Sequence, residues 1–351
     1  MEKPWLKDFE EDVAKWRSRW ESLYDEGIPT KYDYERYPLK YWFNHWADKH
    51  PQKPYILMGD MQFDYGTVNI IARKLANSLL GLGVKKGDRV AIMAPNVPQY
   101  LFSLHALLKI GAIEVPANPL YTVPELRVQF ADSGTETVIV MAMFASKAIE
   151  LLKDPESPVK RVIVFQIPSA PVEVEKGDNI YDFMELIGPA SDAEPGVEVY
   201  AGDICRLQYT GGTTGVPKGC VLTNFMMWTQ CVRTSIWVTS NFKLVPFDEV
   251  RTLCAIPLNH IYGLNANVNI CLYCGGSIVL VAQPTPDNLL AAIEQHRPNL
   301  FAAVPAMIIG LNNHPKIAEA DITSLKGIFC GSSPLAVETM KRFEELTGGK
   351  I

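Results

Sequence analysis

"YTGGTTGVPKG", Tyr209–Gly219, holds four glycines, three threonines, a proline and a lysine in eleven residues. Such a run is too polar and too flexible for the interior of a helix or strand. "LQY" before it and "GCVLT" after it are short β-type segments. The run is therefore read as the tip of a strand–loop–strand unit. Consecutive small residues let several backbone N–H groups converge on one anion. Thr210, Thr213 and Thr214 add hydroxyl donors and Lys218 adds a full positive charge. That set suits a polyphosphate. It is not a Walker A loop, because Pro217 precedes the lysine and Gly219 follows it, where that pattern needs Gly-Lys-Ser/Thr.

The rest of the chain bounds what the loop can serve. Of 351 residues, 48% are hydrophobic and 21% charged, with a net charge of −6. That is an ordinary globular composition, long enough for one large domain or two to three smaller ones. The acidic balance gives no general attraction to nucleic acid or anionic lipid, so a phosphate must be held by a local site. Seven cysteines scattered through apolar segments read as reduced, buried thiols of a cytoplasmic protein. Cys271 and Cys274 form C-x-x-C without a second pair at zinc spacing, and core packing is the favoured reading. The N-terminus has no secretory h-region, and the most apolar stretch, 270–282, is too short to span a bilayer.

Trp5, Phe9, Val13, Trp16, Trp20 and Leu23 recur at spacings of three and four, the pattern of an amphipathic helix over 1–30. Its polar face mixes acids and bases, which argues against a membrane-surface helix. Docking on the protein's own body or on a partner subunit, with a homodimer left open, is the expected use. Peripheral membrane contact also stays open. From Tyr65 onward, helical and strand patterns alternate with short Gly/Pro joints, as in "VRTLCAIP", "GSIVLVA", "PDNLLAAIEQHRP" and "NLFAAVP". This reads as an α/β fold with mostly parallel sheets. A Pro-, Glu- and Gly-rich stretch, 168–202, is expected to be an irregular connector between a first α/β half, 31–200, and a second, 201–351.

The loop resembles the signature of the acyl-adenylate-forming enzymes, a Thr/Ser/Gly-rich phosphate loop closed by Pro-Lys-Gly. "LQYTGGTTG", with Gly211 where many members have serine, is most similar to long-chain fatty-acyl-CoA ligases. Other segments carry the resemblance in order: "FDYGTVN" (63–69), "LLKIGAIEVPANPLYTVPEL" (107–126), "PLNHIYGLN" (257–265), "FAAVPAMIIGLNNHP" (301–315) and "LKGIFCGSSPLAVETMKRFEELTGGKI" (325–351). The resemblance implies the layered α/β adenylation domain of that family. It also implies ATP with Mg²⁺, a fatty acid and coenzyme A as reactants. A carboxylate attacks the α-phosphate of ATP, and a thiol then displaces AMP. No enzyme nucleophile is required.

Carried over residue by residue, Thr210, Gly211, Gly212, Thr213, Thr214, Gly215 and Lys218 would cradle the β- and γ-phosphates. Lys218 and His260 would be the catalytic groups, with His260 bordering the acid. Asn259 departs from the aromatic residue usual there. Gly331, Ser332, Ser333 and Pro334 match the adenine-side segment. Ser333 before Pro334 also reads as the N-cap of the last helix. Val304, Met307, Gly310 and Gly331 are expected to line the acyl pocket with His260. Their apolar walls and small residues suit an alkyl chain. His45, His50, His105, His296 and His314 have no paired ligands, so no metal site is expected in these residues.

In the family, further motifs follow: one with the Mg²⁺ ligand, one for the ribose, and a small lid bearing a lysine. None occurs here, so the 351 residues alone are expected to lack ligase activity. Two rival readings remain: adenylation of an aryl or amino acid, and a non-catalytic nucleotide- or acyl-binding module.

Overall fold

A computed structural model describes residues 4–24, 28–168, 170–210, 217–237 and 245–351, with side chains from residue 11. Thirteen strands are described, in chain order: β1 (Pro54–Met58), β2 (Met61–Asp64), β3 (Arg89–Met93), β4 (Ile113–Pro116), β5 (Thr137–Met141), β6 (Arg161–Phe165), β7 (Ile180–Asp182), β8 (Ile204–Thr210), β9 (Lys218–Thr223), β10 (Arg251–Cys254), β11 (Ser277–Leu280), β12 (Leu300–Ala303) and β13 (Gly327–Cys330). They form two sheets. One has seven strands in the order β7-β6-β5-β3-β4-β8-β9, the other six in the order β13-β12-β10-β11-β1-β2. All pairings are parallel except the two hairpins, β1–β2 and β8–β9. The expected α/β class with mostly parallel sheets is what the chain adopts.

Parallel strands covered on both faces read as continuous apolar runs, and these do. Val90 and Ile92 of β3 face a core that also takes Ile56, Ile278 and Leu280 of the other sheet. Ala91 and Met93, on the opposite face of β3, pack with helices Val123–Ser133 and Ala145–Lys153. In the six-stranded sheet Leu253, Val279, Phe301 and Ala303 face helices Pro286–His296, Pro305–Asn312 and Val337–Thr347. The shared core between the sheets is filled by helices Leu39–Lys49, Tyr65–Gly81, Pro98–Ile110 and Asn224–Ile236. The result is five layers: helices, sheet, helices, sheet, helices.

Strands do not follow the division expected near residue 200. The hairpin β8–β9, at 204–223, completes the seven-stranded sheet. The hairpin β1–β2, near the N-terminus, lies at the edge of the six-stranded one. Burial of each hairpin against a sheet already present outweighs chain proximity. The stretch 168–202 is not wholly irregular, since it holds β7 and helix Phe183–Ile187. Helices Leu39–Lys49 and Asn224–Ile236 and the hairpin β1–β2 lie outside the elements expected from sequence.

The N-terminal helix forms as expected, over Pro4–Glu21. Trp16 and Trp20 are exposed on it, so these two do not dock on the body of the protein. Among the described residues no helix is long and apolar enough to cross a membrane. All seven cysteines are free. Cys271 and Cys274 are buried in the core, whereas Cys220 is exposed, against the expectation of buried thiols throughout.

Candidate active site

The motif residues converge because three neighbouring parallel strands end together. In the six-stranded sheet β10, β12 and β13 lie side by side in parallel. Their carboxyl ends run into Pro257–His260, Val304–Met307 and Gly331–Pro334. Loops at the carboxyl ends of parallel strands are where open α/β sheets bind ligands. The β8–β9 hairpin meets this edge from the other sheet. Thr210 is paired with Lys218 at its tip, which agrees with the strand–loop–strand reading, and both are exposed. Gly211, Gly212, Thr213, Thr214 and Gly215 lie outside the described residues.

The hairpin is clamped next to its tip. Tyr209 Oη donates to Asp132 Oδ2 at 2.5 Å, which ties the strand to helix Val123–Ser133. Its ring packs over Gly219, where a Cβ would lie 3.0 Å from Tyr209 Cζ. Burial and the Asp132 carboxylate push the Tyr209 phenol well above its ordinary pKa. It stays a neutral donor across the physiological range.

The loop carrying His260 is held from the opposite sheet. Asn96, just after β3, donates through Nδ2 to the carbonyls of Cys254 (3.1 Å) and Ile256 (3.0 Å) and accepts from Leu258 N (2.9 Å). Arg206 of β8 donates through Nη2 to the carbonyls of Leu258 (3.1 Å) and Asn259 (3.2 Å). Gln208 Nε2 adds a bond to Asn259 O at 3.1 Å. Arg206 and Glu114 are register partners on adjacent strands and form an ion pair whose two side chains are each 1% exposed. Tyr100 Oη donates to the other Glu114 oxygen at 2.7 Å. Burial pulls the guanidinium pKa down, but Glu114 and Tyr100 outweigh it and the net shift is upward.

His260 is exposed and caps the helical turn Ile261–Gly263, its Nδ1 accepting from Tyr262 N at 3.1 Å. Gly263 allows that turn to pack on the loop, since a Cβ there would lie 2.3 Å from the Pro257 carbonyl oxygen. A π-helical stretch, Leu264–Asn269, follows. Tyr262 reaches β13, with Oη donating to Phe329 O at 2.8 Å, and burial pushes its phenol up to about 12. Its ring covers Gly331. Val304, Met307 and Tyr262 pack around Ile256, Ala266 and Ala302.

Two expectations are corrected here. Gly310 does not open toward this cluster; a Cβ there would meet Pro286, at 3.0 Å, on the neighbouring helix. Ser333 does not cap the last helix, which begins at Val337 after Ala336. Leu335 is drawn instead into the outer core, so 331–336 runs as a loop with Ser332 in the left-handed region (φ 71°). Ser332, Ser333 and Pro334 are exposed at the end of β13.

A largely apolar cleft of about 1040 Å³ opens between the carboxyl ends of both sheets. Met58, Ala94, Leu120, Met141, Phe144 and Leu280 line it, and Pro257 and Asn259 mark its border with the His260 loop. Sequence reasoning missed this cleft and missed Asn96, Glu114 and Arg206. The available signal was one charge in each of two otherwise apolar strands, "AIEVP" and "ICRLQYT", because a buried charge demands a partner.

Two mostly parallel sheets, with the Thr210–Lys218 strand pair reaching the carboxyl ends of β10, β12 and β13, define an α/β domain of layered type. Residues 43–351 match the AMP-binding enzyme family, and the chain belongs to it. It is 31% identical to a long-chain-fatty-acid–CoA ligase of Bacillus subtilis (strain 168), over 100% of this chain and 62% of that enzyme. It is 30% identical to 4-coumarate–CoA ligase 3 of Arabidopsis thaliana, over 82% of this chain and 49% of that one. The chain thus spans about half to three fifths of these relatives. In fold it is similar to the anthranilate CoA ligase AuaEII in complex with anthranoyl-AMP, with TM-score 0.80, 22% identity, and coverage of 90% of this chain and 59% of that one. It is likewise similar to a long-chain-fatty-acid-CoA ligase of Archaeoglobus fulgidus, with TM-score 0.76, 24% identity, and coverage of 93% and 63%.

Proposed function

We propose that these residues bind ATP and a medium- to long-chain fatty acid in an AMP-forming ligase that makes the acyl-CoA thioester. The observation that supports it is the tether between Gln208, two residues before the Thr210–Lys218 hairpin tip, and Asn259, the neighbour of His260. It brings a phosphate-binding element beside a loop next to an apolar cluster and an apolar cleft.

A carboxylate oxygen of the acid forms a bond to the α-phosphorus of ATP. The bond from that phosphorus to the oxygen bridging to the β-phosphate breaks, and pyrophosphate leaves. The CoA sulfur then bonds to the acyl carbon, the acyl C–O bond breaks, AMP leaves, and the thiol proton goes to solvent. Thr210, the glycine–threonine run and Lys218 neutralise charge that grows on the departing phosphates. His260 borders the carboxylate, and Ser332, Ser333 and Pro334 border the adenine. Val304 and Met307 contact the acyl chain beside Tyr262. Mg²⁺ would accompany the ATP phosphates. The described residues contain no cluster of three His, Cys, Asp or Glu side chains to hold it, so no step is assigned to it.

An aromatic acid is a second reading. The Tyr262 ring over Gly331 offers a flat wall, and similar proteins include coumarate and anthranilate ligases. The test is acid-dependent exchange of labelled pyrophosphate into ATP by the natural gene product carrying these residues. Laurate and palmitate are set against 4-coumarate and benzoate. Exchange with the alkyl acids supports the proposal; exchange only with the aryl acids moves it to the second reading. No exchange with any acid overturns both.

A further inference from the structure

We infer that Arg206 is a positioning residue, tied to Glu114 so that it fixes the phosphate hairpin and the His260 loop in one register. The inference rests on the reading of that loop as the acid-binding one, but its geometry is independent of the substrate.

A buried ion pair is a poor device for stability alone. The desolvation of two charges offsets most of their attraction, and well-packed apolar pairs often do as well. Glu114 and Arg206 nevertheless sit in adjacent parallel strands at 1% exposure each. The guanidinium divides its donors three ways. Nη1 goes to Glu114 Oε2 (2.5 Å), Nε to Gln208 Oε1 (2.8 Å), and Nη2 to the carbonyls of Leu258 (3.1 Å) and Asn259 (3.2 Å). The first two bonds stay in the seven-stranded sheet. The last two cross to the loop that follows β10 in the other sheet. An apolar pair could fill the same space but could not hold those two carbonyls.

The consequence follows from chain geometry. Arg206 and Gln208 alternate on one face of β8, and Thr210 at the hairpin tip is next in that series. Across the gap, Asn259 immediately precedes His260. Leu258 is also fixed through its N–H by Asn96. Its carbonyl is left to Arg206 alone among the described bonds. The planar fork, together with the Gln208 Nε2 bond to Asn259 O at 3.1 Å, thus sets the spacing from the phosphate hairpin to the His260 loop. Lysine, a point charge on a flexible stem, could pair with Glu114 but could not present that fork.

The test uses the 351-residue chain with ¹³C-histidine labelling, in which the His260 imidazole signal is assigned through His260→Gln. Two variants are compared, the double Glu114→Leu/Arg206→Met and the single Arg206→Lys. Thermal unfolding of the double variant is expected to remain cooperative while its His260 signal shifts or broadens. Arg206→Lys is expected to move the same signal with the charge retained. In the natural gene product, both are expected to raise KM for the acid about tenfold or more while KM for ATP changes by less than about threefold. A His260 signal and acid KM unchanged in the folded double variant would show an ion pair that is structural only. Should the double variant not fold, an unchanged His260 signal in Arg206→Lys overturns the inference. A gene product inactive with every acid sinks the functional reading, and the histidine signal then decides the positioning role without it.

Discussion

The ring of Tyr262 closes over Gly331: a Cβ at residue 331 would lie 3.1 Å from Tyr262 Cε1, and Tyr262 Oη is already bound to Phe329 O at 2.8 Å. A side chain at 331 must therefore displace the ring, which packs in one cluster with Val304 and Met307. Gly331→Val is expected to shift acid preference toward shorter chains in the pyrophosphate-exchange assay. Gly310→Val is the control. Its new side chain meets Pro286, so it is expected to cost about 1–3 kcal/mol by overpacking and to leave the preference unaltered. Equal chain-length profiles for both variants would remove Gly331 from the pocket wall.

Among the described glycines, Gly263 leaves the least room for a side chain. A methyl group there would lie 2.3 Å from the carbonyl oxygen of Pro257 and 2.7 Å from that of Ile256. Neither is the end of a flexible side chain, so the loop before His260 must move. Gly263→Ala is expected to lower stability by about 3 kcal/mol, the upper end for overpacking. It should also weaken acid-dependent exchange. Denaturant unfolding of the 351-residue chain checks the first; a midpoint equal to the parent's would contradict the close approach.

Lys218 pairs with Thr210 at the mouth of the hairpin and its side chain is exposed. If its charge serves the departing pyrophosphate, it matters only until pyrophosphate has gone. Lys218→Ala is expected to slow adenylate formation by about 10²–10³-fold, the scale for losing one preorganised electrostatic contact. Thioester formation from supplied acyl-adenylate should change little. Comparing the two half-reactions in the natural gene product decides it, since equal slowing would make the lysine structural.

The burial of His105 is expected to make the fold acid-sensitive. It is buried, stacked on Phe43 with ring centroids 3.7 Å apart and bonded through Nε2 to Tyr55 Oη at 2.8 Å. Burial lowers its pKa to about 3, helped by the Lys109 ammonium. The unfolded chain takes up this proton below about 6.5 while the folded one does not. Stability is therefore fully present above pH 6.5 and is lost as the pH falls toward 3. The slope from this group alone is about 1.4 kcal/mol per pH unit. Denaturant titrations from pH 7 to 4 should show that slope, and His105→Phe should remove it. An identical pH profile in the variant would assign the acid loss to other groups.

What the sequence determined by itself is what local chemistry dictates. The alternation of apolar runs with helical periods from Tyr65 onward defines the α/β class, because strand and helix periods are local properties. "YTGGTTGVPKG" is legible as a loop between two strands, because glycine and proline act on the backbone where they stand. The segments at Pro257, Val304 and Gly331 could be recognised as a set, though nothing in the chain says that β10, β12 and β13 are neighbours. Only the tertiary structure decided how the parts meet. It sent β8–β9 and β1–β2 to sheets on the far side of the expected boundary, since strand pairing rewards burial rather than sequence distance. It turned Gly310 toward Pro286, because a helix's rotation is set by what its other faces bury. It started the last helix at Val337, where packing of Leu335 overrode a good capping sequence at Ser333. And it joined Glu114 to Arg206 across 92 residues and carried that charge to the His260 loop. Such a contact depends on the spatial order of strands, and no local pattern encodes that order.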